Sequence, residues 1–246
     1  MKNVWIALPA YTGQIHLGTM RSLMTDMLKL AERGDKVTVF DESGNALIAD
    51  CRALIVAQFL AGEGTHLVFL DSDVAWEAGK LLKLLDADVD CCVGIYPQRR
   101  DPINFCVRWK QENPLLIADP RTGMLEIDGA PTGFMVLSRA MLQAMVERYA
   151  DLKFWADGAP TEDKQICGLF EGYWFKDAEL PGGGRGNIKL GEDYSFCQRW
   201  IDMGGKMRLD AHFEQRFDAC SAADDERFVL EPLEIGRGRC TRRPSA

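Results

Sequence analysis

Two hydrophobic periods alternate along the first ~100 residues. Val4–Leu8 is a short apolar run stopped by Pro9, which predicts a buried strand running into a loop. Residues 18–33 place Met20, Leu23, Met24, Met27, Leu28 and Leu30 at helical spacing, with Gly34 as a stop. Lys36–Phe40 alternates and is rich in β-formers, and a turn-like Asp41-Glu42-Ser43-Gly44 follows. Residues 46–61 carry Leu47, Ile48, Cys51, Leu54, Ile55, Gln58 and Phe59 on one predicted helical face. His66–Leu70 predicts a buried strand ending in Asp71-Ser72-Asp73, Glu77–Leu85 a helix, and Val89–Val93 another strand. Strands and helices in this alternation predict an α/β protein with a mainly parallel sheet and helices on both faces.

The second half is less regular. Ile103–Trp109, Leu115–Ala118, Met124–Ile127 and Phe134–Leu137 read as strands, and Ala140–Tyr149 as a helix. Residues 151–190 read mostly as loop, closing on Leu180-Pro181-Gly182-Gly183-Gly184-Arg185-Gly186. Glu192–Met203 predicts a helix and Lys206–Leu209 a short strand. No linker and no internal repeat divides the 246 residues. The expectation is one domain, with residues 1–100 and 101–220 as its two halves and 221–246 as a tail.

Composition narrows the field. Lys+Arg is 29 against 37 Asp+Glu, a formal charge of −8, so bulk attraction to nucleic acid or an anionic membrane is excluded. Arg237, Arg239, Arg242 and Arg243 make the last stretch locally basic, which also suits a solvated terminus. No run reaches the ~18 apolar residues of a membrane span, and the start reads as a strand rather than a signal peptide. The eight cysteines form no C-x-x-C pair and sit mostly in apolar runs, which argues against zinc or a disulfide framework and for a reducing cytoplasm. Three histidines are too few for a His-rich metal site.

Ligands of open α/β sheets bind beyond the carboxyl ends of the strands. Three such ends are marked: Pro9-Ala10-Tyr11, Asp41-Glu42-Ser43 and Asp71-Ser72-Asp73. Two carboxylates one residue apart after a buried strand can hold Mg²⁺ or Mn²⁺, hard cations that take oxygen ligands and leave positions for phosphates. A solvated turn capping a helix is the plainer alternative. Glu192-Asp193 opens a helix, where the macrodipole favours the ionised form; capping is its structural alternative. The glycine-rich stretch 182–187 lacks the Lys-Ser/Thr of a P-loop and reads as a flexible lid whose Arg185 or Lys189 reaches a diphosphate on closing. The aromatic run Phe170-Glu171-Gly172-Tyr173-Trp174-Phe175 suits either stacking on an acceptor or core packing.

The segment Thr65-His66-Leu67-Val68-Phe69-Leu70-Asp71-Ser72-Asp73 resembles the D-x-D region of GT-A glycosyltransferases similar to glycosyltransferase family 2. Four further pieces share the resemblance: 45–53 with Arg52, 129–139 around Pro131-Thr132-Gly133, 191–197 with Glu192-Asp193, and Lys206-Met207-Arg208-Leu209-Asp210. The match runs from about residue 4 to residue 212. It implies a GT-A fold and a metal-dependent transfer from a nucleotide sugar, a UDP-sugar above others. The acceptor hydroxyl would belong to a glycan, a protein, a lipid-linked intermediate or a modified nucleobase. Pro9, Tyr11 and Asp41 would hold the base, with Asp41 accepting the uracil N–H. Asp71 would contact the donor ribose or the metal. Arg52 and Arg185 would offset diphosphate charge, and Asp71, Asp73 and His212 would ligate Mn²⁺ or Mg²⁺. Asp193, with Glu192 next, would take the acceptor proton in an inverting reaction. The third ligand departs from the family pattern, whose expected position falls near Phe217 or Asp218. His212 in a shifted register, Asp218, or no third ligand are all open. A non-catalytic binding module of the same fold is the competing class.

Overall fold

The strand β1 (Asn3–Pro9) is apolar at successive positions because both faces of it are covered, with Val4, Ile6 and Ala7 fully buried. In the computed structural model, which describes residues 1–96, 105–110, 117–155, 165–180, 182–210 and 215–216, it lies inside an eight-stranded sheet. The elements follow as α1 (Leu17–Glu32), β2 (Lys36–Glu42), α2 (Ile48–Ala61), β3 (His66–Leu70), β4 (Ala75–Trp76), α3 (Lys80–Asp86) and β5 (Cys91–Gly94). Then come β6 (Arg108–Trp109), β7 (Leu125–Gly129), β8 (Phe134–Ser138), α4 (Arg139–Arg148), β9 (Lys153–Trp155) and β10 (Gln165–Cys167). The last are β11 (Trp174–Glu179), β12 (Arg185–Lys189), α5 (Glu192–Asp202), β13 (Met207–Asp210) and β14 (Gln215–Arg216).

The sheet order is β2-β1-β3-β8-β5-β13-β7-β6. β2, β1 and β3 are parallel neighbours, as are β5 and β13. The strands β8 and β7 run against them, so the sheet is mixed. Trp5 packs edge-on against Phe59 of α2 and Phe40 of β2, which puts α2 on one face. Contacts among α1, α3 and β4 build the other face. One hydrophobic cluster runs from Val4 to Leu209 through both layers.

α1 departs from the expected face. Met20, Met24 and Leu28 are exposed, while Thr19, Ser22 and Asp26 are buried beside Leu23 and Leu30. The cause is non-local. Ser22 Oγ donates to Trp76 O at 2.6 Å and accepts from Trp76 N at 3.0 Å. The Asp26 carboxylate accepts from Trp76 Nε1 at 2.9 Å, Leu81 N at 3.0 Å and Gly79 N. α3 has no side-chain N-cap of its own, so Asp26 satisfies its orphan N–H groups from another helix. Arg139, at the start of α4, does the converse for α2, donating to Phe59 O and Gly62 O, each at 2.7 Å.

Among the described residues of 151–190, strands stand where loop was expected: β9 pairs with β10, and β11 with β12, both antiparallel. β11 hides its alternation behind Lys176, Asp177 and Glu179, and Asp177 bulges at φ 51°. Of the predicted strand Ile103–Trp109 only Arg108–Trp109 is laddered, and residues 103–104 lie outside the described residues. Of Leu115–Ala118, Ala118 makes an isolated bridge to Leu125, and residues 115–116 lie outside them as well. No helix among the described residues is long and apolar enough to cross a membrane.

Candidate active site

At the carboxyl end of β3 the chain turns through Asp71, Ser72 and Asp73. The turn is tied down on several sides. Asp71 N donates to Gly133 O at 2.9 Å, Val74 N to Asp71 O at 3.2 Å, and His16 N to Ser72 O at 2.8 Å. The last bond brings the loop after β1 onto this turn. Gly133 has to be glycine: a Cβ there would collide with the Tyr96 hydroxyl and the Asp71 carboxylate. Its N–H donates to Tyr96 Oη at 3.1 Å.

Arg52 is the hub. It projects from α2 and is 4% exposed. Its guanidinium lies 2.5 Å from Asp193 Oδ1, 3.2 Å from Glu192 Oε1 and 3.7 Å from Asp71 Oδ1. Thr132, fully buried in the turn before β8, donates its hydroxyl to Asp193 Oδ1 at 2.6 Å. Three carboxylates from two places in the chain therefore surround one buried cation and one buried hydroxyl. Arg52 Nε is buried and makes no hydrogen bond.

The electrostatics follow. Burial pushes Asp71 up to about 6; Arg52 pulls it back, and Asp193, Asp73 and Glu192 add to the rise. Asp193 is also raised, by burial first, against the pull of Arg52 and Thr132. This reverses the expectation from the helix start alone: loss of water outweighs the macrodipole. Burial on its own would lower Arg52, yet Asp193, Asp71 and Glu192 hold it above its ordinary value. The Tyr96 phenol is pushed well up by burial, then by Asp71 and Asp193.

Asp71, Arg52, Glu192 and Asp193 are thus brought together. Asp73 lies two residues on in the same turn, close enough for its charge to act on Asp71. Pro9 ends β1, and Asp41 lies next to Leu8 in register on β2. Tyr11 is 64% exposed in the loop beyond, and Gly44 N donates to Tyr11 O at 3.1 Å, so these three share one rim. Arg185 is engaged within its own hairpin, its Nε 3.0 Å from Asp177 Oδ1. His212 and Asp218 lie outside the described residues. His66 opens β3 at the opposite end from Asp71, and burial, then Lys2, lowers it to about 4.

Thr132 and Tyr96 are site residues that pattern reading missed. Tyr96 follows β5 at a carboxyl end, so the strand-end rule could have found it. Among the described residues no group of three or more His, Cys, Asp or Glu is placed to hold a metal ion. The donor chemistry of the turn nonetheless suits a hard divalent cation, which takes one or two carboxylates and completes its shell with water and phosphate oxygens. A cavity along α3, lined by Lys29, Lys83 and Arg121, shares no residue with this cluster.

Comparison with solved structures finds two chains of note. One is a glycosyltransferase involved in the glycosylation of the major capsid of PBCV-1, 14% identical over 64% of this chain and 68% of that one, with a TM-score of 0.33. The other is S. aureus TarS (1–349), 13% identical over 68% of this chain and 53% of that one, with a TM-score of 0.37. The chain thus spans about half of that TarS segment. No protein-family model and no curated protein matches the sequence. What defines the class here is a mixed α/β fold with a cluster of charged side chains at the carboxyl ends of its strands.

Proposed function

We propose that this chain is a glycosyltransferase that moves a sugar from a nucleotide-sugar donor, a UDP-sugar, to an acceptor hydroxyl with inversion. The observation that carries the reading is Arg52 gathering Asp71 of the β3 turn and the Glu192–Asp193 pair of α5 into one cluster. The family resemblance in the sequence assigns chemistry to the two carboxylate segments independently. Their convergence around one buried cation is what a donor-side and an acceptor-side carboxylate of one reaction require.

In this reading Pro9, Tyr11 and Asp41 form the rim for the base, and Asp71 and Asp73 would hold Mn²⁺ or Mg²⁺. That cation supplies charge neutralisation for the departing diphosphate. Asp193 takes the acceptor proton. Arg52 changes role: its short contacts are to carboxylates rather than to open solvent, so it orients Asp193 and Asp71 instead of cradling phosphate. Thr132 fixes Asp193 from the other side, with its hydroxyl on Oδ1 and its backbone N–H also on the carboxylate. The acceptor is a glycan, a protein, a lipid-linked intermediate or a modified nucleobase.

A second reading, a nucleotide-sugar binding module without turnover, is favoured by the double occupation of Asp193 Oδ1 by Arg52 and Thr132. Asp193→Asn separates the two, because Asn keeps the shape but cannot take a proton. Transfer should fall by about 10²–10⁴-fold with UDP binding and melting temperature preserved. The measurement is UDP release from a panel of UDP-sugars with Mn²⁺ present, alongside calorimetric UDP titration. Absence of turnover by the parent chain across donors and acceptors, with UDP still bound, supports the binding module instead.

A further inference from the structure

The outer edge of β2 ends the sheet, and among the described residues nothing pairs with it. Its hydrogen-bonding phase is fixed by β1. Lys36 N donates to Lys2 O, and Glu42 O accepts from Ala10 N. The even-numbered residues therefore turn their backbone groups inward, and Val37, Val39 and Asp41 turn theirs out. A seven-residue edge of this kind is a template for a further strand.

The side chains of the edge divide by face. Phe40 packs on Trp5, which packs on Phe59 of α2, so Lys36, Thr38, Phe40 and Glu42 lie on the α2 face. Val37, Val39 and Asp41 lie on the α1 face. Val39 is exposed there, although it is a large apolar residue on a strand. α1 adds a stripe on the same layer: Leu17, Met20, Met24 and Leu28, all exposed, at helical spacing. At 100° per residue this stripe lies roughly 160° round the helix from Ser22, Asp26 and Lys29. Ser22 and Asp26 bond to β4 and to the start of α3, toward the interior of the sheet. The stripe therefore faces away from α3, on the flank of the free edge.

We propose that this flank binds a second copy of the chain, β2 to β2 in antiparallel register about Val39. The strand is its own complement in that register alone. Val39 meets Val39 of the other copy and Val37 meets Asp41, and these are the residues whose backbone groups point outward, as hydrogen-bonded antiparallel pairs require. Thr38 meets Phe40, and Lys36 meets Glu42, so opposite charges close both ends on the α2 face. All seven positions are used. Centring the axis one residue either way leaves Lys36 or Glu42 without its opposite charge. A two-fold axis through Val39 and perpendicular to the sheet puts the two α1 helices on the same side. Their Met20, Met24 and Leu28 stripes then supply the apolar area that a strand pair lacks. The product is one sheet continuous through both copies, with the two candidate sites on opposite edges of it, close to the seam.

Multi-angle light scattering of the full chain behind a sizing column, from about 1 to 100 μM, tests this. Twice the chain mass is expected at the upper concentrations. Lys36→Glu and Glu42→Lys should each raise the dimer dissociation constant about tenfold or more, since like charges then face each other. The double variant Lys36→Glu/Glu42→Lys should restore it. Val39→Pro should also break the dimer while sparing the β1 ladder, because the Val39 N–H points outward; the charge variants decide the matter where this one fails to fold. A chain that is monomeric throughout means the edge is covered by other parts of this chain or by another partner, and overturns the proposal. A dimer indifferent to Lys36→Glu, or one that the double variant does not rescue, overturns it equally.

Discussion

Arg52 carries a charge that is almost fully withdrawn from water, and its stability depends on the carboxylates around it. Removing it leaves Asp71, Glu192 and Asp193 facing one another. A broken buried pair costs about 3–5 kcal/mol. Here the carboxylates keep between 20% and 35% of their side-chain surface, so solvent screening reduces the loss. Arg52→Gln should cost about 2–4 kcal/mol at pH 7.5 by urea unfolding, and clearly less at pH 5, where Asp71, raised to about 6, holds a proton. An equal loss at both values would mean that packing, not charge, is what Arg52 supplies. Asp71 makes the complementary prediction. Its ordinary value of 3.8 rises to about 6 in the fold. Between those values the folded chain holds a proton that the unfolded chain has released, so stability from this group falls as pH rises through the window. Relative to Asp71→Asn, the parent chain should lose stability between about pH 4 and 6. A gain over that range would place Asp71 in an ion pair that outweighs its burial.

At the scale of elements, the polar face of α1 shows where sequence reading reaches and where it stops. On α2 the expected face was only partly right, since Leu47, Ile48 and Gln58 are exposed while Arg52, Ala53 and Val56 are buried. β1, β3 and β8 were legible as short continuous apolar runs, α4 and α5 through apolar residues at helical spacing, and the Asp71 turn was legible as a strand end. The buried side of α1 was not. Met20, Met24 and Leu28 carry the stronger apolar signal, yet the sheet side needs Ser22 and Asp26 to bond β4 and α3, partners some fifty residues away that no local window contains. The hairpin β11–β12 was missed for a related reason: its residues alternate in exposure, but both faces are largely polar. Of the site, Asp71, Arg52, Glu192 and Asp193 were named from sequence, while Thr132 and Tyr96 depend on tertiary approach. Asp26 offers the sharpest test of an element held from outside. Asp26→Ala leaves Trp76 Nε1, Gly79 N and Leu81 N without their acceptor and should cost about 3 kcal/mol by denaturant unfolding. Asp26→Asn, which keeps one carbonyl oxygen, should cost visibly less. Equal costs would assign the effect to side-chain volume.

For the whole molecule, the cluster joins parts of the chain 141 positions apart, so ligand binding there should tighten both halves together. The rim runs from Tyr11 through the His16–Ser72 bond to the Asp71 turn, and from Arg52 across to α5 and the hairpin that Tyr173 N ties to Ser195 Oγ at 2.9 Å. A ligand that binds only the folded chain raises its stability by RT ln(1 + [L]/Kd), about 2.7 kcal/mol at a hundredfold excess over Kd. UDP with Mn²⁺ should therefore raise the melting temperature more than either alone. Asp73→Ala should remove the metal-dependent part of that rise. Hydrogen exchange adds the spatial signature. Protection should appear in residues 11–16, in the turn 71–74 and across the hairpin 178–190, whose glycines at 183 and 184 adopt positive φ and leave the tip conformationally costly to order. The opposite end of the sheet, where Lys2 N bonds Asp35 and His66 opens β3, should exchange as before. Protection of the hairpin without the turn would put the nucleotide on the acceptor side, and equal stabilisation by UDP with and without Mn²⁺ would remove the cation from the site.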